Sequence, residues 1–193
     1  MPFGRIDARY IRHVEDRLCQ GDIVRDIRLV TWAEQTADSD NIQITEKEIP
    51  YGVVMTQDCD LEQDKQNRSS AESKNQDKFL QSVLLCPAYP AADIRAGTHL
   101  SDENLVMERL NSDRWKVVKG NNNARYHYLP EHPDYQIPES VIDFKHYFTV
   151  PREKISTTLK LQRRIGSVGE LFREDLSLRF AQYLSRIGLP DLR

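Results

Sequence analysis

The chain has 193 residues and a formal net charge of −3 at pH 7, with 39% hydrophobic and 30% charged residues. This composition excludes a collagen-like repeat, a disulfide scaffold and a wholly disordered chain, and the length is that of one ordinary domain. No segment approaches the roughly 18 consecutive apolar residues of a membrane span, and residues 1–18 lack the apolar region of a secretory signal. We therefore expect one domain over residues 1–193 that is cytoplasmic and does not contact a membrane.

The first half of the chain predicts a helix followed by strands. Residues 7–18 repeat apolar side chains every three or four positions, which predicts a short amphipathic helix. Alternating apolar and polar residues predict strands over 22–32 and 42–49, and a continuous apolar run predicts a buried strand over 51–57. A further strand is predicted over 82–87.

The segment between these strands, residues 60–78, has a different composition. It contains nine charged residues and a single large apolar residue, Leu61. Such a segment can bury little surface, so we expect a mobile polar insert or a solvated helix, with residues 62–77 exposed.

The second half predicts helices and one or two strands. Residues 101–110 begin with Ser101 and acidic residues, which is typical of a helix start, and a second short helix is predicted over 112–119. Residues 141–150 predict one long strand or two short ones. A stripe that includes Phe172, Leu176 and Phe180 predicts an amphipathic helix over 171–187, within a C-terminal helical segment 167–193.

Together these elements predict an α+β fold. Its centre is a small, strongly bent antiparallel β-barrel, accompanied by an N-terminal helix, inserted helices and a long C-terminal helix.

Three short motifs carry a family resemblance: Gly21–Val24 (GDIV), residues 52–57 (GVVMTQ) and residues 83–89 (VLLCPAY). In this order, over about residues 20–90, the chain resembles the PemK/MazF family of toxin ribonucleases. The resemblance implies an SH3-like barrel, a homodimer and a place in a bacterial toxin–antitoxin or phage-defence system. The family commonly uses an Arg in the first hairpin and a Ser or Thr after a later proline. Here residues 34–41 contain no Arg, and Ala88 and Tyr89 follow Pro87, so neither catalytic role carries over.

One polar cluster follows the strand predicted over 51–57. In extended backbone Asp58 and Asp60 share a face, while Cys59 points the opposite way. Two carboxylates on one face could bind Mg²⁺ or raise one pKa. If the chain instead turns at Asp58, Cys59 is exposed, although the adjacent carboxylates disfavour its thiolate. The structural alternative is an Asx-type turn with a buried Cys59.

A second cluster is Arg125-Tyr126-His127-Tyr128. In extended backbone Arg125 and His127 share a face, which suits phosphate binding or general acid–base chemistry on a phosphodiester. Tyr126 beside Arg125 suits stacking on unpaired bases. The alternative is a tyrosine-rich strand that packs on the core.

Positive charge is concentrated near the C-terminus. Residues 151–193 carry a net charge of +4 and residues 1–150 carry −7. Arg163 and Arg164 could therefore contact a nucleic-acid backbone or simply cap a loop, and a solvated helix with ion pairs is the alternative reading of the charge.

Two functions follow from these residues. The first is a non-catalytic nucleic-acid- or protein-binding module of a bacterial toxin or defence-type system, and the second is an endoribonuclease toxin that cleaves single-stranded RNA. A protein partner or homodimer is expected, with nucleic acid as another partner, and no metal or other cofactor is assigned. The cluster 57–60 is expected on the same side of the barrel as 125–128. The candidate catalytic residues are Asp58, Asp60 and His127, and the candidate binding residues are Gln57, Cys59, Arg125, Tyr126, Arg163 and Arg164.

Overall fold

One antiparallel sheet dominates the computed structural model, which describes residues 8–12, 16–35, 42–70, 76–160 and 163–186. Within these residues the strands are β1 (Tyr10–Ile11), β2 (Asp22–Gln35), β3 (Ile42–Val54), β4 (Ser82–Pro90), β5 (Tyr126–Leu129), β6 (Ser140–Asp143), β7 (Phe148–Pro151) and β8 (Arg164–Val168). The α-helices are α1 (Asp58–Ser69), α2 (Ala91–Ala96), α3 (Ser112–Lys119), α4 (Arg152–Lys160) and α5 (Glu170–Leu184). Short 3₁₀ turns span Ser101–Glu103, Pro133–Tyr135 and Phe144–His146.

The strand order is β1-β8-β2-β3-β4-β6-β5, and β7 pairs with the first half of β4 while β6 pairs with its end. The sheet curves into a half-barrel, so that Ile137, between β5 and β6, joins the same apolar core as Val168 of β8. The predicted antiparallel sheet with inserted helices is confirmed. Within the described residues no helix is long and apolar enough to cross a membrane.

The C-terminal helix α5 packs on the main core through the predicted stripe. Leu176 and Phe180 are buried, and the Phe180 ring lies 5.5 Å from that of Phe144. Leu184 is exposed, and Ile187, which the prediction included, lies outside the described residues. The helix prediction is therefore confirmed over Glu170–Leu184.

The N-terminal helix predicted over 7–18 is wrong where the structure describes it. Tyr10 and Ile11 form a strand, with Tyr10 opposite Val168 of β8. The Tyr10 hydroxyl donates a hydrogen bond to the Pro130 carbonyl, 2.7 Å away, and its ring is buried. Helical spacing of apolar residues is a weak signal, and here pairing with a distant strand overrides it. Residues 13–15 lie outside the described part.

Two other boundaries differ from prediction. The strands predicted over 42–49 and 51–57 form one strand, β3. Its pairing with β2 continues on both sides of Pro50, which lies opposite Asp26, a residue with a φ of 55°. Pro50 has no amide hydrogen to donate, and the register accordingly skips that pair. The helix predicted over 101–110 is only the turn Ser101–Glu103, since Asn104 adopts the left-handed conformation and ends it.

The remaining predictions in the second half are confirmed. Residues 112–119 are α3, whose first turn is capped by Asn111: its side-chain oxygen accepts a hydrogen bond from the Arg114 amide at 2.9 Å. Residues 141–150 contain two short strands, β6 and β7, separated by a 3₁₀ turn.

The polar insert begins as a helix that is anchored to the core. Residues 58–69 form α1, so the solvated-helix alternative applies there, and residues 71–75 lie outside the described part. Asp64 is buried, contrary to the prediction that residues 62–77 are exposed. It accepts hydrogen bonds from Arg68, Arg152 and the Leu80 amide, which together compensate its lost hydration. The mobility of the insert stays a prediction.

Candidate nucleic-acid interface

Asp58 and Asp60 do not share a face, because both lie in the first turn of α1. Positions two apart on an α-helix point in nearly opposite directions, so the prediction of paired carboxylates is wrong. Asp58 accepts hydrogen bonds from Arg17 at 3.1 and 3.3 Å and from the Gln20 amide at 3.1 Å. Burial alone raises the pKa of Asp58, but these donors outweigh it and lower the pKa below its usual value. Asp58 therefore anchors the start of α1 to Arg17 and Gln20, which lie before β2.

Gln57, Cys59 and Asp60 are exposed at the start of α1. The Cys59 sulfur lies 3.7 Å from Gln57 Oε1 and 3.8 Å from Asp60 Oδ1. The alternative with a buried Cys59 is wrong. The alternative in which the chain turns at Asp58 and exposes Cys59 matches the structure.

The second predicted cluster is largely buried in and beside β5. His127 is only 4% exposed and its Nδ1 accepts a hydrogen bond from Arg179 at 3.1 Å. A guanidinium has only donors, so Nδ1 is the acceptor and the ring is neutral. Burial, together with the positive charge of Arg179, lowers the pKa of His127 to about 3. This geometry favours a packing role for His127 and Tyr126, in line with the tyrosine-rich-strand alternative.

The two predicted clusters do not contact each other. Within the described residues no hydrogen bond or ion pair joins 57–60 to 125–128: Asp58 binds Arg17, and Arg125 binds Asp143. The predicted pairing of Asp58 or Asp60 with Arg125 or His127 is therefore not formed.

A groove lies where β8, the start of β2 and the Pro133–Tyr135 turn meet, and we call it the arginine groove. Its volume is about 530 Å³. Arg163 lies beside it and donates a hydrogen bond from its side chain to the Asp26 carbonyl at 2.8 Å. The lining residues are Arg12, Arg25, Asp134, Tyr135, Gln136, Arg164, Ile165 and Gly166.

The groove has one anchored and two exposed arginines. Arg164 is fixed by the buried Asp22 carboxylate at 3.2 Å and by the Arg17 carbonyl at 2.7 Å. Arg12 and Arg25 are exposed, and the Arg12 guanidinium lies 5.7 Å from the Tyr135 ring centre. Arg164 is paired with Asp22, Arg25 lies 3.7 Å from Asp26, and Asp134 lines the groove. The exposed guanidiniums of Arg12 and Arg25 are therefore the ones that an anion in the groove can reach.

Gly166 lines the groove and packs closely on the core residue Ile137. A Cβ at this position would lie 3.0 Å from the Ile137 side chain, tighter than nearly all real contacts. One wall is Tyr135, whose ring stacks on His132 at 4.5 Å with 17° between the planes. The aromatic side chain is thereby held in place beside the arginines.

A third polar cluster, which we call the Asp143 centre, was not predicted from the sequence. Asp143 is fully buried and accepts two hydrogen bonds from Arg125, at 2.8 and 2.5 Å. His99 Nε2 and His146 Nε2 lie 3.8 and 3.9 Å from the same oxygen, Asp143 Oδ2. Burial raises the pKa of Asp143, but hydrogen bonds from Arg125 outweigh it and lower the pKa to about 2.

The Asp143 centre contains buried polar atoms without partners. Within the described residues, neither ring nitrogen of His99 forms a hydrogen bond, and the Tyr89 hydroxyl forms none either. The centres of these two rings lie 5.1 Å apart. Such unsatisfied groups are rare in folded proteins, and strain, ordered water, a bound ion or a catalytic role explains them. The sequence holds no spacing signal for it, because His99 follows α2, Asp143 ends β6 and His146 ends the 3₁₀ turn Phe144–His146. No group of three potential ligands among the described residues could hold a metal ion.

No family model, no curated protein and no solved structure matches this chain. The arginine groove and the Asp143 centre are therefore the features from which a function can be inferred.

Proposed function

We propose that this protein is a non-catalytic nucleic-acid-binding module that takes single-stranded nucleic acid in the arginine groove. The observation that carries the proposal is the convergence of Arg12, Arg25 and Arg164 on one groove, with Arg163 beside it. Guanidiniums bind phosphate through paired donors and keep their charge at any physiological pH. Binding is then dominated by the phosphate backbone.

Single strands fit this groove better than a duplex. Proteins that bind single strands combine a positively charged groove with aromatic side chains on which bases stack, and Tyr135 supplies such a ring beside the arginines. A base stacked at this wall would displace the Arg12 side chain, which then becomes free for a phosphate.

We also retain the proposal that the module serves a bacterial toxin or defence-type system and is PemK/MazF-like. Its supports are the antiparallel half-barrel and the strand that begins at Asp22 within the GDIV motif. An SH3-like barrel, a homodimer or another protein partner belong to the same proposal.

The direct test is fluorescence anisotropy with labelled oligonucleotides of the same sequence in single-stranded RNA, single-stranded DNA and duplex form. We expect saturable binding of at least one single strand, and weaker binding of the duplex. No binding of any single strand at low salt would contradict the proposal. Preference for the duplex would contradict the single-strand assignment.

A second candidate function, an endoribonuclease that cleaves single-stranded RNA, is favoured by the Asp143 centre. His146 is 21% exposed, so it can reach solvent, while Asp143 and Arg125 lie behind it. An imidazole beside a carboxylate and a guanidinium suits proton transfer at a phosphodiester. Burial lowers the pKa of His146, which keeps the ring neutral and able to accept a proton at neutral pH.

Expression in bacteria separates the two candidates. A ribonuclease toxin should arrest growth and degrade labelled single-stranded RNA, and His146→Ala should abolish both effects, whereas Lys145→Ala, at an exposed neighbouring position, should not. A binding module should leave growth and RNA intact.

A further inference from the structure

A small cavity that neither candidate function uses lies between α1, β4 and α4. Its volume is about 220 Å³, which corresponds to about seven water molecules in the liquid. Segment 16–18 closes its remaining side. We call it the α1–α4 cavity.

One wall of the cavity is apolar. Leu18, Leu61 and Val83 line it, and all three are buried in one apolar cluster. They are at most 7% exposed, so the preformed apolar surface that they present is small and suits a short hydrocarbon group.

The rest of the lining is polar. Lys65 binds Asp16 at 2.7 Å, and Arg152 binds Asp64 at 2.7 Å and the Ser156 hydroxyl at 2.8 Å. Because Asp64 is buried, Arg152 is held in place and loses little entropy when a ligand binds.

The ion pairs at this part of the lining balance in charge. Lys65 pairs with Asp16, and Arg68 and Arg152 pair with Asp64 and Glu153. An anion in the cavity would therefore bind through donors that these ion pairs leave unused.

Donors for an anion are present in this part of the lining. Arg152 uses Nε and Nη1 in hydrogen bonds, whereas its Nη2 makes none within the part of the chain that the structure describes. The Lys65 ammonium has three donors and gives one to Asp16.

We propose that the α1–α4 cavity binds a small aliphatic carboxylate, whose anion contacts Arg152 and Lys65 and whose hydrocarbon covers Leu18, Leu61 and Val83. The volume of about 220 Å³ and the small apolar surface favour a branched monocarboxylate of about seven non-hydrogen atoms. This site goes beyond the proposed function, since the arginine groove has different lining residues.

The test is titration of the full chain with 3-methylbutanoate, followed by amide shifts in ¹H–¹⁵N NMR spectra. Saturable shifts are expected for residues 61–65 and 152–156. The neutral isostere 3-methylbutanamide should produce no saturable shift, and acetate, which lacks the hydrocarbon, should bind more weakly. Absence of saturation with 3-methylbutanoate, or equal binding of the amide, would overturn the proposal.

Variants of two lysines locate the anion. Lys65→Gln should weaken 3-methylbutanoate binding by about tenfold, the usual cost of one charge-assisted hydrogen bond. Lys116→Gln, on the exposed face of α3, should leave the affinity unchanged. Equal affinities for Lys65→Gln and the wild type would exclude the assigned orientation. The amide and acetate arms use only the wild type, so they decide the proposal even if a variant does not fold.

Discussion

The buried imidazole of His127 makes the stability of this protein depend on pH. Its pKa is about 3 in the folded chain and 6.5 as an ordinary side chain, so between these values only the unfolded chain takes up a proton. Stability therefore falls as pH decreases through 6.5, by up to about 1.4 kcal/mol for each pH unit. Between pH 6.5 and about pH 5 the expected loss is about 2 kcal/mol.

Above about pH 5, the pH dependence of stability reports the titration of histidines and not that of the Asp64 and Asp143 carboxylates. Asp64 and Asp143 have lowered pKa values, so the stability they contribute is present above their ordinary pKa of 3.8 and is lost only as pH falls further. His146, whose pKa is also lowered, acts in the same direction as His127. A variant is therefore needed to separate the two histidines.

The assay is urea unfolding followed by circular dichroism at about pH 7 and about pH 5, for the wild type and His127→Gln. Glutamine does not titrate, and its carbonyl oxygen can still accept the hydrogen bond from Arg179. We expect the wild type to lose about 2 kcal/mol more than the variant over this interval. Equal losses in the two proteins would refute the reasoning about His127.

Three further substitutions test the packing. Asp64→Asn should lower the free energy of unfolding by about 3 kcal/mol, because two guanidiniums lose their shared buried carboxylate; a change below about 1 kcal/mol in urea unfolding would contradict this. Gly52→Ala should cost about 1–3 kcal/mol in the same assay, since its Cβ would clash with the buried Cδ1 methyl group of Ile27, and a neutral effect would contradict this. Asn111→Ala should cost about 1 kcal/mol by removing the cap on the Arg114 amide, whereas Asn111→Asp should keep most of it.

Elements with strong local signals were predictable from the sequence. The stripe that contains Leu176 and Phe180 identified α5, because its buried face follows directly from the helical period. The alternation after Gly21 identified β2, although Ile23 and Val24 are both buried there. The helix predicted over 7–18 failed because Tyr10 is fixed by pairing with β8, a contact between opposite ends of the chain. No local pattern records such a contact.

The candidate site was only partly predictable for a related reason. Arg163 and Arg164 were identified from charge, and Arg164 does line the arginine groove, but Arg12 and Tyr135 reach it only through the fold. The Asp143 centre likewise joins side chains from separate elements. The prediction that Asp58 and Asp60 share a face assumed extended backbone, whereas α1 begins at Asp58.

The salt dependence of single-strand binding tests the central claim most directly. For single strands the logarithm of the binding constant falls with the logarithm of salt concentration by about 0.7 for each phosphate contact. The double variant Arg12→Gln, Arg25→Gln should therefore lower that slope by about 1.4, while the charge-matched control Lys116→Gln, Lys145→Gln should keep the wild-type slope. Equal slopes for the wild type and the groove variant, or an equal reduction in both variants, would contradict binding in the arginine groove.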